Sequence, residues 1–391
     1  MLNENHKVMA AEMNPFVIMG KIPSEYFCDR EDETQRIVKE IIGRSADMLI
    51  MSERRMGKTS LINHCFDCPE LKDNFYTFYF DILHTSSFQE FVYEFQREVF
   101  KALMPKGQKV ITSLLTALKS ITPQFSIDPI SGMPTVSLEL GSINRPEYTF
   151  SEILDFLENA DKPCIIAIDE FQRVALYSDN VEAFLRGKIQ HLKNTRFIFA
   201  GSERHLLSEM FSSYSRPFYN STITVSLDKI DAEIYAEFAV NIFSKFSKSI
   251  EKDVFLNLYD YFDGNTFCIH KMLHIAFDKI NENECCTKEI LNQVLNEIVE
   301  DNEHYYRESL SRMSAKQKLV FYAIAIDGIA KQVTSTDFIK RHSLGSASSV
   351  QAAIRVLMEN DWINVKEKEY FISDKFMGIW LKRMAGVITL I

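Results

Sequence analysis

At 391 residues the chain is too long for one ordinary hydrophobic core, so two or three domains are expected. Apolar residues at 46% and charged residues at 25% exclude a disordered chain. A net charge of −10 excludes a protein that is basic all over.

No basic segment leads into an apolar run at the N-terminus, so no signal peptide is expected. Near the C-terminus the longest apolar run, Leu319 to Ile326, falls far short of a bilayer core of about 30 Å. Seven cysteines, an odd number, suit a reducing compartment. The expectation is a soluble, cytoplasmic protein with no membrane partner.

The first chemically informative stretch begins at "ADMLIM", residues 46–51, which reads as a buried strand. Next comes "SERRMGKTSL", residues 52–61, which matches GxxxxGK[ST] except that Ser52 replaces the first glycine. "TSLINHCF" then has helical spacing, so the strand–loop–helix context of a phosphate loop is complete. In such a loop backbone N–H groups wrap the phosphates, here from Ser52, Arg55, Met56, Gly57, Lys58, Thr59 and Ser60. Lys58 reaches the β/γ oxygens and the Thr59 hydroxyl binds Mg²⁺. Gly57 lies where backbone must approach phosphate closely, whereas at Ser52 a small residue suffices if φ stays negative. Cys65 and Cys68, beside His64, form a lone CxxC, and no second pair completes a zinc ligand set. They read as thiols on or under a helix.

"FYTFYFDI", residues 75–82, is a second strand, and "SSFQEFVYEFQREVFKALM" has the spacing of an amphipathic helix. "QFSIDPISGMPTVSLEL", residues 124–140, reads as a β-hairpin, an insertion of about 121–141. "PCIIAIDE", residues 163–170, is a strand buried on both faces that ends in two acids. At a strand's carboxyl end such acids face the ligand crevice of an open α/β sheet. Asp169 is placed to hold Mg²⁺ and Glu170 to polarise an attacking water. "TRFIFAGS", residues 195–202, is another strand. Strands alternating with helices imply a mostly parallel sheet covered on both sides.

From Ser226 to Glu300 the chain reads as all-helical, with Cys285 and Cys286 in a polar turn. From Ser311 the order is helix, helix, helix, hairpin, the layout of a winged helix-turn-helix. This tail holds 12 Lys/Arg and 7 Asp/Glu, a net of +5 that leaves −15 for the rest. Ser346, Ser348, Ser349, Gln351 and Arg355 on the third helix can hydrogen-bond, and Lys340, Arg341, Lys366 and Lys368 can contact phosphates. DNA and a docked protein both remain open as its partner. The expected fold is α/β: a P-loop NTPase parallel sheet (14–225), a helical lid (226–300) and a C-terminal winged helix-turn-helix domain (311–391).

"NPFVIMGKIPSEYFCDREDE", "RRMGKTSL", "IDEFQRV", "FIFAGSERHLL" and "RPFY" together resemble the archaeal-type P-loop ATPases of the STAND and AAA+ lineage, over residues 14 to about 383. The resemblance implies that "FCDRED" lies beside adenine. Arg30 and Glu31 match there, while Asp29 replaces a glycine. It implies that Ser202 senses the γ-phosphate and that Arg216 is supplied to it in cis or from a neighbour, although a surface arginine fits the sequence as well. Arg54 and Arg55 match the family pair and either touch phosphate or brace the loop. In "DGNTFCIHKML", Gly264 and Asn265 match a lid motif and Thr266 stands in place of proline. The lid arginine of many relatives is missing; His270 or Lys271 could substitute, or lie on a solvated helix face.

The leading expectation is a switch that binds and hydrolyses ATP with Mg²⁺ and whose state is read out by the winged helix. The alternatives are a DNA-binding regulator or initiator-like protein with structurally bound ATP, and a degenerate nucleotide binder, motivated by Ser52 and Asp29.

Overall fold

The computed structural model describes residues 14–104, 145–177, 180–387 and 389–391, with 113–114, 116–118, 143 and the backbone of 124–127 and 134–137 between them. The chain divides into two compact units, Met19–Ile230 and residues 14–18 with Asp231–Ile391.

In the first unit, α1 (Glu31–Arg44) opens with Glu31, Asp32 and Glu33, whose charges complement the positive end of the helix dipole. There follow β1 (Met48–Met51), α2 (Lys58–Asp67), α3 (Pro69–Lys72), β2 (Tyr76–Asp81) and α4 (Phe88–Leu103). After β3 (Gln124–Ile127) and β4 (Pro134–Ser137) come α5 (Pro146–Glu158), β5 (Cys164–Asp169), α6 (Val181–Ile189), β6 (Thr195–Gly201), α7 (Arg204–Ser212) and β7 (Ile223–Ser226). Five strands form one parallel sheet in the order β2-β5-β6-β1-β7. Alternate residues of each strand serve opposite cores. Ile166 and Ile168 pack with Phe91, Phe95 and Phe150, while Ile165 and Ala167 pack with Ile37, Leu61 and Ile62. Each such isoleucine contributes about 1.5–3 kcal/mol by leaving water. Asp47 ties the strand starts together: its carboxylate accepts from Phe197 N–H at 2.8 Å and its carbonyl from Ile223 N–H at 2.9 Å.

The expected hairpin is present as the antiparallel pair β3–β4, in register from Gln124↔Ser137 to Ile127↔Pro134. The rest of that insertion lies outside the described residues. Strand β7 was not expected: "ITVS" is short and polar, and only Val225 of it is buried.

In the second unit, α8 (Ala232–Lys245) is capped by the Asp231 carboxylate, which accepts from the N–H groups of Glu233 and Ile234. It is followed by β8 (Ser249–Ile250), α9 (Lys252–Tyr261), α10 (Thr266–Lys279), β9 (Cys285–Cys286), α11 (Lys288–Asp301) and α12 (Glu303–Ser311). Residues 226–300, expected to be all-helical, therefore include the short strands β8 and β9. Cys285–Cys286 is not a polar turn but a strand parallel to Ser249–Ile250, because pairing lets Cys286 and Ile250 enter the core. Thr266 takes the first helical position of α10, where a proline would also fit, and Asn265 caps it by accepting from Cys268 N–H.

The solvated face expected for His270 is also corrected. Its ring is buried, 6.0 Å from that of Phe16 and 5.9 Å from that of Tyr235. Residues 14–18 cover this part of α10: Asn14 Nδ2 donates to the His274 carbonyl at 2.9 Å, and His274 Nδ1 donates to the Phe16 carbonyl at 2.8 Å. Lys271 is half-buried, with its ammonium 5.4 Å from the Phe376 ring centre.

The winged helix follows as α13 (Ala315–Asp327), β10 (Ala330–Lys331), α14 (Thr336–Arg341), α15 (Ala347–Glu359), β11 (Ile363–Lys366), β12 (Glu369–Ile372) and α16 (Lys375–Met384). A Ser314–Gln317 capping box starts α13, and Ser346 caps α15. Strand β10 makes the wing three-stranded, and α16 extends the expected layout. The α16 side chains reach the helices before the winged helix: Phe376 meets Phe262 at 5.2 Å and Trp380 meets Tyr306 at 5.6 Å. Among the described residues no helix is long and apolar enough to cross a membrane.

Burial pushes the His270 imidazole down to about 4, against a hydrogen bond with the Val17 backbone that raises it. The folded state thus favours the neutral ring, and the stability tied to it is full above the ordinary value near 6.5. It is lost as pH falls through about 4, a change of about 3 kcal/mol. Thermal melts from pH 7 to pH 4 should show a destabilisation in wild type that His270→Gln makes shallower. Parallel slopes would refute this role for His270.

Candidate functional site

In the first unit, the loop between β1 and α2 puts two residues in the left-handed region, Arg55 at φ 64 and Gly57 at φ 92. Gly57 needs its missing side chain for that conformation and not for packing, since a Cβ there would have nothing within 4 Å. The space in front of this backbone is open. Ser52 is fully buried and does not take a positive φ, and its hydroxyl donates to the Glu53 carbonyl at 2.8 Å. The position that departs from the usual pattern therefore makes no demand for glycine. Met56 is buried, Ser60 half-buried and Thr59 exposed at the start of α2.

Lys58 is only 6% exposed, and burial pushes its ammonium below the ordinary lysine range. The charges of Asp169 and Glu170 act in the opposite direction. Across the sheet edge, Thr59 Oγ1 donates to Asp169 Oδ2 at 2.8 Å, and the Glu170 N–H donates to Asp169 Oδ1 at 2.9 Å. Glu170 itself is left-handed, φ 57, so the chain turns sharply where the strand ends. Ser202 Oγ donates to Glu170 Oε2 at 3.0 Å. The structure thus brings Lys58, Thr59, Asp169, Glu170 and Ser202 together.

Two further residues of this group were not assigned from the sequence. Tyr79 on β2 donates to Asp169 Oδ2 at 2.9 Å and lies 3.5 Å from Thr59 Oγ1. Gln172 donates from Nε2 to Glu170 Oε2 at 2.5 Å. Gln172 was visible in "IDEFQRV", but Tyr79 carried no signal beyond strand alternation. Asp81, at the end of β2, has its carboxyl pushed up by burial and by Asp169 and Glu170.

Other expected residues are engaged elsewhere. Arg30, φ 77 and 5% exposed, pairs with Glu33 at 2.8 Å and donates to the Asp228 carbonyl at 2.5 Å. Asp29 keeps the left-handed backbone, φ 58, that a glycine would supply. Arg216 pairs with Glu182 at 3.1 Å and lies 3.7 Å from Glu209. His64 stacks on Phe27 with ring centres 4.1 Å apart, and burial pushes the Cys65 thiol up to about 12. Among the described residues no group of three or more His, Cys, Asp or Glu could hold a metal ion.

In the second unit, Lys340, Ser348, Gln351, Lys366 and Lys368 are exposed. Ser348 Oγ lies 2.9 Å from Ser346 Oγ. Arg341 is drawn to Asp327 at 2.6 Å, and Arg355 lies 3.8 Å from Glu359. Acids therefore offset part of the positive charge of this surface.

Residues 304–383 match a family model described as "Probable winged helix domain". The chain is similar in fold to the Walker-type ATPase PABY2304 of Pyrococcus abyssi, with a TM-score of 0.64, 18% identity and coverage of 94% of this chain and 99% of that one. It is also similar to the ORC2 protein of Aeropyrum pernix in ADPNP-ADP complexes (TM-score 0.58, 11% identity, 95% and 98% covered). The ORC1 protein of Aeropyrum pernix in complex with DNA gives a TM-score of 0.51 at 12% identity, with 95% and 96% covered. A comparison with curated proteins found no match. The model described as "ATPase domain predominantly from Archaea" matches residues 27–272, more than half of the chain, and the chain belongs to that family.

Proposed function

We propose that the protein is a nucleotide-dependent switch that binds ATP with Mg²⁺, hydrolyses it, and changes the partner binding of its winged helix accordingly. The observation that carries this reading is the Thr59–Asp169 hydrogen bond of 2.8 Å beside a buried Lys58 and a Glu170 held by Ser202.

The residues fit a magnesium ion. Thr59 and Asp169 offer hard oxygen donors at an open edge, and a small protein ligand set suits an ion that keeps waters and substrate phosphate oxygens. When bound, Mg²⁺ neutralises charge on the phosphate oxygens. Lys58 then compensates the β/γ charge from a desolvated position, where its field is weakly screened. Glu170 accepts a proton from the attacking water, and Ser202 trades its bond to Glu170 for one to the γ-phosphate. Arg216 would join only if its pairing with Glu182 opens.

The second reading, a DNA-binding regulator with rarely hydrolysed ATP, draws on the net +5 of residues 311–391 and on the DNA complex of the similar ORC1 protein. Coupling in either form requires that the partner bind the ATP and ADP states unequally.

Lys58→Ala and Gly57→Ala should each weaken binding of a fluorescent ATP analogue at least about tenfold, the glycine change through backbone strain. Glu170→Gln should bind normally yet release phosphate about 100-fold more slowly or worse. Hydrolysis at the wild-type rate in that variant would remove Glu170 from the mechanism. A labelled random duplex, titrated in Mg·ATP and Mg·ADP at two salt concentrations, should show salt-sensitive anisotropy that differs between nucleotides. A duplex that binds in neither state would leave a protein as the partner of the winged helix.

A further inference from the structure

We infer that Gln172 is a positioning residue for hydrolysis: it holds Glu170 by Oε2 so that Oε1 is left to the attacking water. The inference rests on the hydrolytic reading above.

Gln172 lies in the short 3-10 helix Phe171–Leu176, which starts directly after Glu170. That helix is anchored by Phe171, fully buried against Phe199, Phe211 and Phe218 at 4.5, 5.8 and 5.3 Å, and by the Arg173 N–H, which donates to the Glu170 carbonyl at 2.9 Å. The Gln172 side chain is 1% exposed, and Nε2 donates to Glu170 Oε2 at 2.5 Å. Its other end is orphaned, because Oε1 is buried and has no hydrogen-bond partner among the described residues.

A glutamine kept for packing would satisfy both ends of its amide or give way to an apolar residue of the same size. Here the fold tolerates an unpaired carbonyl oxygen in order to aim the amide N–H at one carboxylate. The fold also clears space for it. A Cβ on Gly201 would lie 2.1 Å from Gln172 Oε1 and 2.9 Å from Leu207 Cδ1, so only glycine at the end of β6 admits the amide in this place.

The arrangement also separates two tasks. Ser202 shares Glu170 Oε2 at 3.0 Å and reaches Oε1 at 3.3 Å. Once Ser202 turns to phosphate, Gln172 is the remaining side-chain donor to Oε2 among the described residues, and it fixes a carboxylate that otherwise rotates at an open edge.

The test uses the full chain, ATP with magnesium chloride, and steady-state phosphate release. Gln172→Met, which fills the same volume without a donor, should lower kcat at least about tenfold with KM for ATP unchanged. Its melting temperature should stay at or above that of wild type. Gly201→Ala, which displaces the amide while leaving Gln172 in the chain, should give the same kcat defect. In a Glu170→Gln background, Gln172→Met should cause no further loss, because it acts through Glu170. No phosphate release by the wild-type chain would overturn the hydrolytic reading itself and the inference with it. Wild-type kcat in Gln172→Met, or an equal loss in the Glu170→Gln background, would overturn the positioning role alone.

Discussion

In a parallel sheet every strand ends at the same edge, and here that constraint assembles the site. The order β2-β5-β6-β1-β7 sets β6 between the strand that carries the phosphate loop and the strand that carries the acids. Ser202, next after β6, therefore falls between Lys58 and Glu170 along the edge. The Thr59–Asp169 bond crosses the end of β6 to join the start of α2 to the end of β5. The bonds that join the three strand ends are long-range in the chain: Thr59 and Asp169 are 110 positions apart, and Ser202 and Glu170 are 32 apart. Two-sided burial of Ile165, Ile166, Ala167 and Ile168 keeps that edge in register, since a slip by one residue would exchange the faces of the whole strand.

Charge at this edge is balanced locally. A buried ammonium costs free energy unless acids stand near it, and Lys58 has Asp169, Glu170 and Asp81 around it. Crowding the acids has its own cost, visible in the raised Asp81 carboxyl. A polyanion with a divalent cation adds charges of both signs to this group, and the chain supplies few ligands of its own. In the proposed ATP complex the substrate and its cation would complete the charge balance of this edge.

The phosphate loop and the acid pair were legible in the sequence because their chemistry requires fixed residue types at fixed points after buried strands. The helices of the winged module were legible through periodicity and their Ser314 and Ser346 caps. What escaped was tertiary. Tyr79 matters only because β2 pairs with β5, setting Tyr79 opposite Ala167, two residues before Asp169. His270 looked like a surface residue of α10 until Phe16, from a segment more than 250 positions earlier, covered it. Strands of two residues, such as Cys285–Cys286, are too short to leave a pattern.

The departures from the family pattern take on a different weight once backbone angles are known. A glycine is irreplaceable where φ is positive and the residue that follows must be reached without a side chain in the way. Ser52 meets neither condition: it does not take a positive φ, and its hydroxyl closes on the next carbonyl. Asp29 does sit at φ 58, but aspartate is among the residues that visit the left-handed region with modest strain, about 1–2 kcal/mol. Arg30, Arg55 and Glu170 carry the same kind of strain in the same unit. A fold that holds so many left-handed residues in its first unit has enough packing to impose them, and one more at Asp29 changes little. At Gly57 the left-handed backbone also faces open space, and there the glycine is kept. The case for a degenerate site rested on the two substitutions; Ser52 makes no demand for glycine, and Asp29 keeps the left-handed backbone that a glycine would supply.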